Sequence, residues 1–274
     1  MSQTPTATES SPPRVLLLTS PGLLGAEIIN RFAACGDIHL VGIGLTARLY
    51  KNKGLLGTAL TLYRRAGWRY LSYGAQESTV AWTRLRASGR PSGLKRVGGQ
   101  VRPLREVNAA ESIAWMRELA PDYVASFFFN QWIGQGVRAV PTRGAVNLHP
   151  SLLPALRGPD PIFRTLERGL TTSGYTIHAI ADEFDAGQIL HQHPRPVPQG
   201  LSEFGLYRQT VREGAELFVN WLAGKVASVV PKVSGKDVGD YCTFPTPDEV
   251  RAFLRGGHRL IDAGELRRAL AEIE

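Results

Sequence analysis

Cysteine is scarce: the 274-residue chain has two, Cys35 and Cys242, far apart and without CxxC spacing. That argues against a disulfide framework or a zinc knuckle and fits a reducing compartment. No run of about eighteen apolar residues is present, so no transmembrane helix is expected. The first thirteen residues, MSQTPTATESSPP, have neither a basic start nor an apolar core. They read as a disordered tail rather than a secretion signal, and a cytoplasmic location is expected. A dinucleotide fingerprint is missing too. The first glycine turn reads SPGLLG, not GxGxxG, and no acidic residue ends the second apolar run, where a ribose would need one. A nicotinamide enzyme is therefore disfavoured.

What is there is ordinary globular composition, 43% hydrophobic and 20% charged, in a chain long enough to bury a substantial core. The formal charge is +8. Its Lys and Arg residues read as dispersed, which favours a basic soluble surface over a nucleic-acid, membrane or phosphate partner.

The apolar run RVLLLT (14–19), the turn Ser20, Pro21, Gly22, an amphipathic segment with Ala26, Ile28, Ile29 and Phe32, and the run HLVGIGL (39–45) make a β-α-β unit. Its handedness rule implies parallel neighbouring strands. The turn's backbone N–H groups, at a helix start, are suited to an anionic group. Residues 46–93 are less ordinary: Arg48, Lys51 and Lys53 precede a stretch in which arginines and aromatics interleave, with helical pieces expected near 54–65 and 76–87. One reading is a helical excursion packed on the sheet, which is favoured; others are an acceptor-site flap or a basic amphipathic surface over 46–75 making weak contact with anionic membranes. The Gly-rich GRPSGLKRVGGQ (89–100) reads as a loop.

Beyond it come the short run VRPL and a helix over 108–119 that places Ile113, Met116 and Leu119 on one face, with Asn108 as N-cap and Glu111 as its capping-box partner. DYVASFFF (122–129) reads as a buried parallel strand, and 130–134 then sits at its carboxyl end, where open α/β sheets bind ligands. In the next strand, AVNLH, alternation puts Asn147 and His149 on one face. Pro150 and the following SLLP make a rigid exit. YTIHAI (175–180) delivers the loop ADEFDAG, with Asp185 at its tip.

An amide N–H and an imidazole N–H can both donate to an oxygen that becomes anionic when a carbonyl is attacked. A carboxylate beside the imidazole raises its pKa and fixes its tautomer. With no suitably placed Ser or Cys nucleophile, direct acyl transfer to a bound acceptor fits better than a covalent intermediate. His178 reads as structural, and Asp182 and Glu183 as loop-shaping or ligand-edge residues. His191 and His193 share a strand face but lack a third ligand, so no metal site is expected.

The combined pattern VNLHPSLLPALRG, SGYTIH and DEFDAGQIL closely resembles the signature of formyltransferases that use 10-formyltetrahydrofolate. The resemblance covers roughly 101–225 and, more weakly, the opening β-α-β unit. It implies a Rossmann-like open, mostly parallel α/β sheet. It also implies that Asn147 and His149 polarise the formyl oxygen while Asp185 orients His149 or relays a proton through water. Gln131, Trp132, Ile133, Ala181, Asp182 and Glu183 would hold the pterin of the donor, largely through backbone groups. Asn130, Pro150, Ser20 and Gly22 would lie towards the acceptor.

A core-facing helix follows over 202–223, then a polar stretch near 232–241. Thr246 with Glu249, and Asp262 with Glu265, mark the starts of two short helices. The expected organisation is a tail (1–13), a catalytic domain (14–231) with its 46–100 excursion, and a small helical appendage (232–274), too short for the β-barrel with which methionyl-tRNA formyltransferases hold tRNA. The expected activity is N-formylation of a small-molecule amine. Hydrolysis of the donor, formylation of methionyl-tRNA and a non-catalytic binding module are the alternatives.

Overall fold

A computed structural model describes residues 11–46, 55–87, 101–229, 239 and 241–272. The amino-terminal tail (1–10), Arg48, Lys51 and Lys53, the 89–100 loop and most of the 232–241 stretch lie outside the described residues.

The apolar runs become strands of one sheet: β1 (Arg14–Thr19), β2 (His39–Thr46), β3 (Val101–Leu104), β4 (Tyr123–Phe127), β5 (Gly144–His149), β6 (Thr172–Ala179) and β7 (Ile189–Pro196). Their order is β3-β2-β1-β4-β5-β6-β7. The pairs up to β4–β5 are parallel and the last two antiparallel. This is the expected open, mostly parallel α/β sheet. From β1 the chain builds outward to β2 and β3, then returns to add β4 on the other side, so the connections diverge at the carboxyl ends of β1 and β4 and leave a crevice there.

Helices α1 (Leu23–Ala34) and α6 (Glu203–Leu222) cover one face, where Ile28, Phe32, Val211, Ala215 and Phe218 pack against Val15, Leu17, Ala125 and Phe127. The other face buries Leu16, Leu18 and Val124 against Met116 of α3 (Ala110–Glu118) and Val137 of the single turn α4 (Gln135–Arg138). Gly25 of GLLG is a steric requirement: a Cβ there would stand 1.8 Å from the Ser20 carbonyl oxygen.

Two helical pieces were expected in the excursion, and α2 (Leu55–Ala87) runs through both. It kinks at Gly67, whose φ of 81° is left-handed backbone that glycine adopts without a Cβ penalty. Ala66, Tyr70 and Tyr73 of α2 enter the core. The buried Tyr70 hydroxyl donates to Asp160, which also accepts from the Phe163 N–H at 3.1 Å as N-cap of α5 (Pro161–Glu167). The buried Glu203 carboxyl lies close enough to the same Asp160 for the two to influence each other's ionisation. Two carboxyls buried side by side resist ionising together. Burial pushes both upwards, Asp160 to about 6 and Glu203 in the same direction.

Two expected helix starts differ in detail. The N-cap of α3 is Ala109 and makes no side-chain cap bond, because the Asn108 side chain is engaged elsewhere. Helix α7 (Pro247–Arg255) has its capping box, Thr246 with Glu249. In α8 (Ala263–Glu272), Asp262 caps the first turn, but Glu265 turns to Ser202, accepting from its hydroxyl and its N–H. Val250, Phe253, Ala269 and Leu270 of these two helices belong to the same hydrophobic core as α1 and α6.

Candidate active site

Asn147 and His149 leave β5 on one face because they are two residues apart. On the adjacent antiparallel β6, His178 stands opposite Asn147 and Thr176 opposite His149. The Asn147 Nδ2 lies 3.0 Å from His178 Nε2. His178 Nδ1 is 3.0 Å from the Ala179 carbonyl, which can only accept, so Nδ1 carries the ring proton. The Nε2 lone pair then accepts one N–H of the Asn147 amide. Burial, with the nearby charge of His149, pushes the His178 imidazole down to about 4, which keeps it neutral at pH 7. His178 therefore aims the amide of Asn147.

His149 is buried. Its Nε2–H donates to the Leu156 carbonyl at 2.9 Å, and its Nδ1 faces Asp185 Oδ1 at 3.5 Å. Asp185 has left-handed backbone, φ 53°, and its Oδ2 accepts from the Gly158 N–H at 2.9 Å. Arg157 fixes the same loop by donating to the Phe184 carbonyl at 2.6 and 3.2 Å. The rigid exit after His149 is held through Thr176, whose hydroxyl donates to the Ser151 carbonyl (2.7 Å) and accepts from the Leu153 N–H (3.0 Å). An amide, an imidazole and a carboxylate thus converge at the carboxyl edge of β5.

The remaining expected residues fall around this point in different ways. The Gln131 side chain turns away from β5: its Oε1 accepts from the Val107 N–H (2.8 Å) and its Nε2 donates to Thr46 and Leu104, each at 3.1 Å. Ile133 is buried. Trp132 is 44% exposed, and its indole N–H donates to the Asp182 carbonyl at 2.9 Å, joining the 130–134 and 181–185 loops. Asp182 also pairs with Arg138, and the exposed Glu183 lies 3.8 Å from Arg157. Ala181 is half-buried beside them. Asn130 is exposed and accepts from the Thr46 hydroxyl at 2.7 Å; Pro150 is buried. Ser20 and Gly22 form the turn after β1, on the same carboxyl edge.

Several contacting residues were not expected. Asn108 clamps the loop after β4, donating to the Trp132 carbonyl (2.8 Å) and accepting from the Gly134 N–H (2.7 Å). Tyr241 is half-exposed and close enough to Asp185 for that carboxylate, after burial, to push its phenol pKa upwards. With Trp132 and Phe184 it gives the site three exposed aromatic rings. The facing of His178 and Asn147 follows from the β5–β6 register, and strand alternation alone does not supply that register.

Residues 79–222, more than half of the chain, match the family described as Formyl transferase. Over 136 residues the chain is 32% identical to a methionyl-tRNA formyltransferase of Moorella thermoacetica, covering 50% of this chain and 44% of that one. Over 116 residues it is 32% identical to the methionyl-tRNA formyltransferase of Thermotoga maritima, covering 42% and 37%. The chain thus spans less than half the length of these curated relatives. Among solved structures, a sugar N-formyltransferase from Shewanella has a TM-score of 0.54 at 18% identity, over 95% of this chain and 87% of that one. A phosphoribosylglycinamide formyltransferase from Bacillus halodurans has a TM-score of 0.52 at 17% identity, over 77% and 94%. At those identities the likeness is one of fold.

Proposed function

We propose, from the premise that this chain belongs to the formyl transferase family, that it moves the formyl group of 10-formyltetrahydrofolate to an amine of a small-molecule acceptor. The observation that carries the reading is the convergence of Asn147, His149 and Asp185 at one sheet edge, with the Asn147 amide aimed by His178. The second N–H of that amide is the donor to the formyl oxygen, whose charge grows as the carbonyl is attacked. The amine nitrogen forms the new C–N bond and the carbonyl electron pair moves to oxygen. The amine's proton leaves towards the His149–Asp185 pair, directly or through water. Collapse breaks the bond between the formyl carbon and N10, which takes up a proton as tetrahydrofolate departs. In this reading the 131–133 and 181–183 segments, joined by the Trp132 indole N–H to the Asp182 carbonyl, flank the pterin of the donor.

A second reading, formylation of methionyl-tRNA, is favoured by the names of the curated relatives. One experiment tests both: the purified chain is given 10-formyltetrahydrofolate with amino sugars, amino acid derivatives or charged initiator tRNA, and release of tetrahydrofolate and formate is followed. Tetrahydrofolate release that depends on a small amine supports the proposal. Release driven only by methionyl-tRNA replaces it with the second reading, and formate release at full rate without any amine makes the protein a hydrolase.

A further inference from the structure

Counted by segment, the basic residues are not dispersed. Of the chain's 32 Lys and Arg and 24 Asp and Glu, eleven and one fall within 38–100, leaving 21 and 23 for the rest. The excursion alone exceeds the net charge of the whole chain, and the remainder is slightly acidic. Between Asp37 and Glu77 there is no acidic residue.

Helix α2 adds a second property to that charge. Its inner face is spent on the core through Ala66, Tyr70 and Tyr73. On its outer face Leu56, Leu60 and Tyr63, spaced by four and three, lie along one side and are 86%, 49% and 52% exposed. Trp68, just past the kink at Gly67, is 64% exposed. The exposed residues between and beside them are Arg64, Arg65 and Arg69. Past the kink, a groove of about 360 Å³ between α2 and α7 continues the same character, with Trp68, Val250 and Leu254 in its wall and Arg69 and Arg255 at its rim.

Large side chains left in water cost free energy unless something covers them. The occupant must accept leucine and indole side chains and balance a dense positive charge. A duplex or a folded polyanion balances the charge but offers leucine nothing. A bilayer bearing anionic headgroups does both: apolar residues enter the headgroup and acyl boundary, arginine stems reach up to phosphates, and tryptophan sits at the interface. We propose that the outer face of α2 docks the protein on an anionic phospholipid membrane. The excursion is then both a helix packed on the core and a membrane contact, each on its own face. This inference is independent of the formyl-transfer reading, because lipid binding is measured without donor or acceptor.

The test is sedimentation of the full chain with phosphatidylcholine vesicles, with and without an equal part of phosphatidylglycerol. Binding is expected only with phosphatidylglycerol, falling as salt is raised. Replacing Arg64, Arg65 and Arg69 together by Gln should weaken partition on the order of a hundred-fold, at about five-fold per arginine. Leu56→Gln with Leu60→Gln should also weaken it, with the melting temperature unchanged because both side chains are exposed. Quenching by brominated lipid that is present in the unmodified chain and reduced in Trp68→Phe would place the indole in the membrane. Absence of partition would overturn the proposal. So would binding that ignores the leucine changes and is matched by single-stranded RNA, or concentration-dependent self-association that Leu56→Gln with Leu60→Gln abolishes.

Discussion

Asn147 and His178 meet side chain to side chain across β5 and β6, the amide donating to a ring nitrogen that the Ala179 carbonyl forces to be the acceptor. The relationship makes His178 a positioning residue with a measurable signature. His178→Leu removes the acceptor and is expected to lower kcat about a hundred-fold, the cost of a misplaced reacting group, with a smaller change in KM. His178→Gln, whose side-chain oxygen can accept, should recover part of the loss. In the unmodified protein the His178 ring signals should not titrate between about pH 5 and 8, because its pKa lies near 4.

Asp185 is the sharper test of the proton route. Asparagine tolerates the left-handed backbone at this position and can still accept from Gly158, so Asp185→Asn changes the charge and little else. Formyl transfer is expected to fall by about a hundred- to ten-thousand-fold, with an unchanged thermal melt. Activity equal to that of the unmodified chain would remove Asp185 from the mechanism.

Asn108 should be read out through the donor. Its side chain makes two hydrogen bonds to the loop that carries Trp132, and Asn108→Ala leaves that loop's backbone without them. The expected result is a KM for 10-formyltetrahydrofolate raised about ten-fold, with kcat less affected. Equal effects on both constants would point to damage beyond the loop.

The carboxyl pair Asp160 and Glu203 predicts how stability depends on pH. Both have folded-state pKa values above those of an unfolded chain, so the folded protein holds protons more tightly. Their contribution is complete below the unfolded carboxyl values, about pH 4, and is lost as pH rises through the folded values. Glu203→Gln removes one of the two titrating groups and keeps the side chain's shape. Its melting temperature should fall less steeply than that of the unmodified chain as pH is raised above about 4. An identical slope would mean that Glu203 does not carry this pH dependence.

Much of this structure could be read from residue order. Runs such as RVLLLT and DYVASF are continuous apolar segments because a central parallel strand is covered on both faces, and VNLH followed by DEFDAG marked the sheet edge where the polar groups converge. What could not be read depends on register or on long-range packing. Alternation placed His178 inside a strand, but only the β5–β6 pairing shows what it faces. Asn108 has the composition of a helix cap and is used as a loop clamp. Tyr70, Asp160 and Glu203 come from three elements separated by dozens of residues, and each alone looks like an ordinary surface residue. Glu265 fits a capping box and instead reaches another helix.

The sheet order described above also bears on association with other chains. Its two margins are β3 and β7, and both contain proline: Pro103 in one, Pro194 and Pro196 in the other. Proline has no N–H to offer a further strand, and part of β7 is already bordered by the chain itself through Gln192 N–H to the Val229 carbonyl, 3.0 Å. Among the described residues, both margins thus disfavour growth of the sheet by a foreign strand. Encounters of the described part of this protein with another surface are then expected through helices and loops, by side chains rather than by a shared backbone ladder.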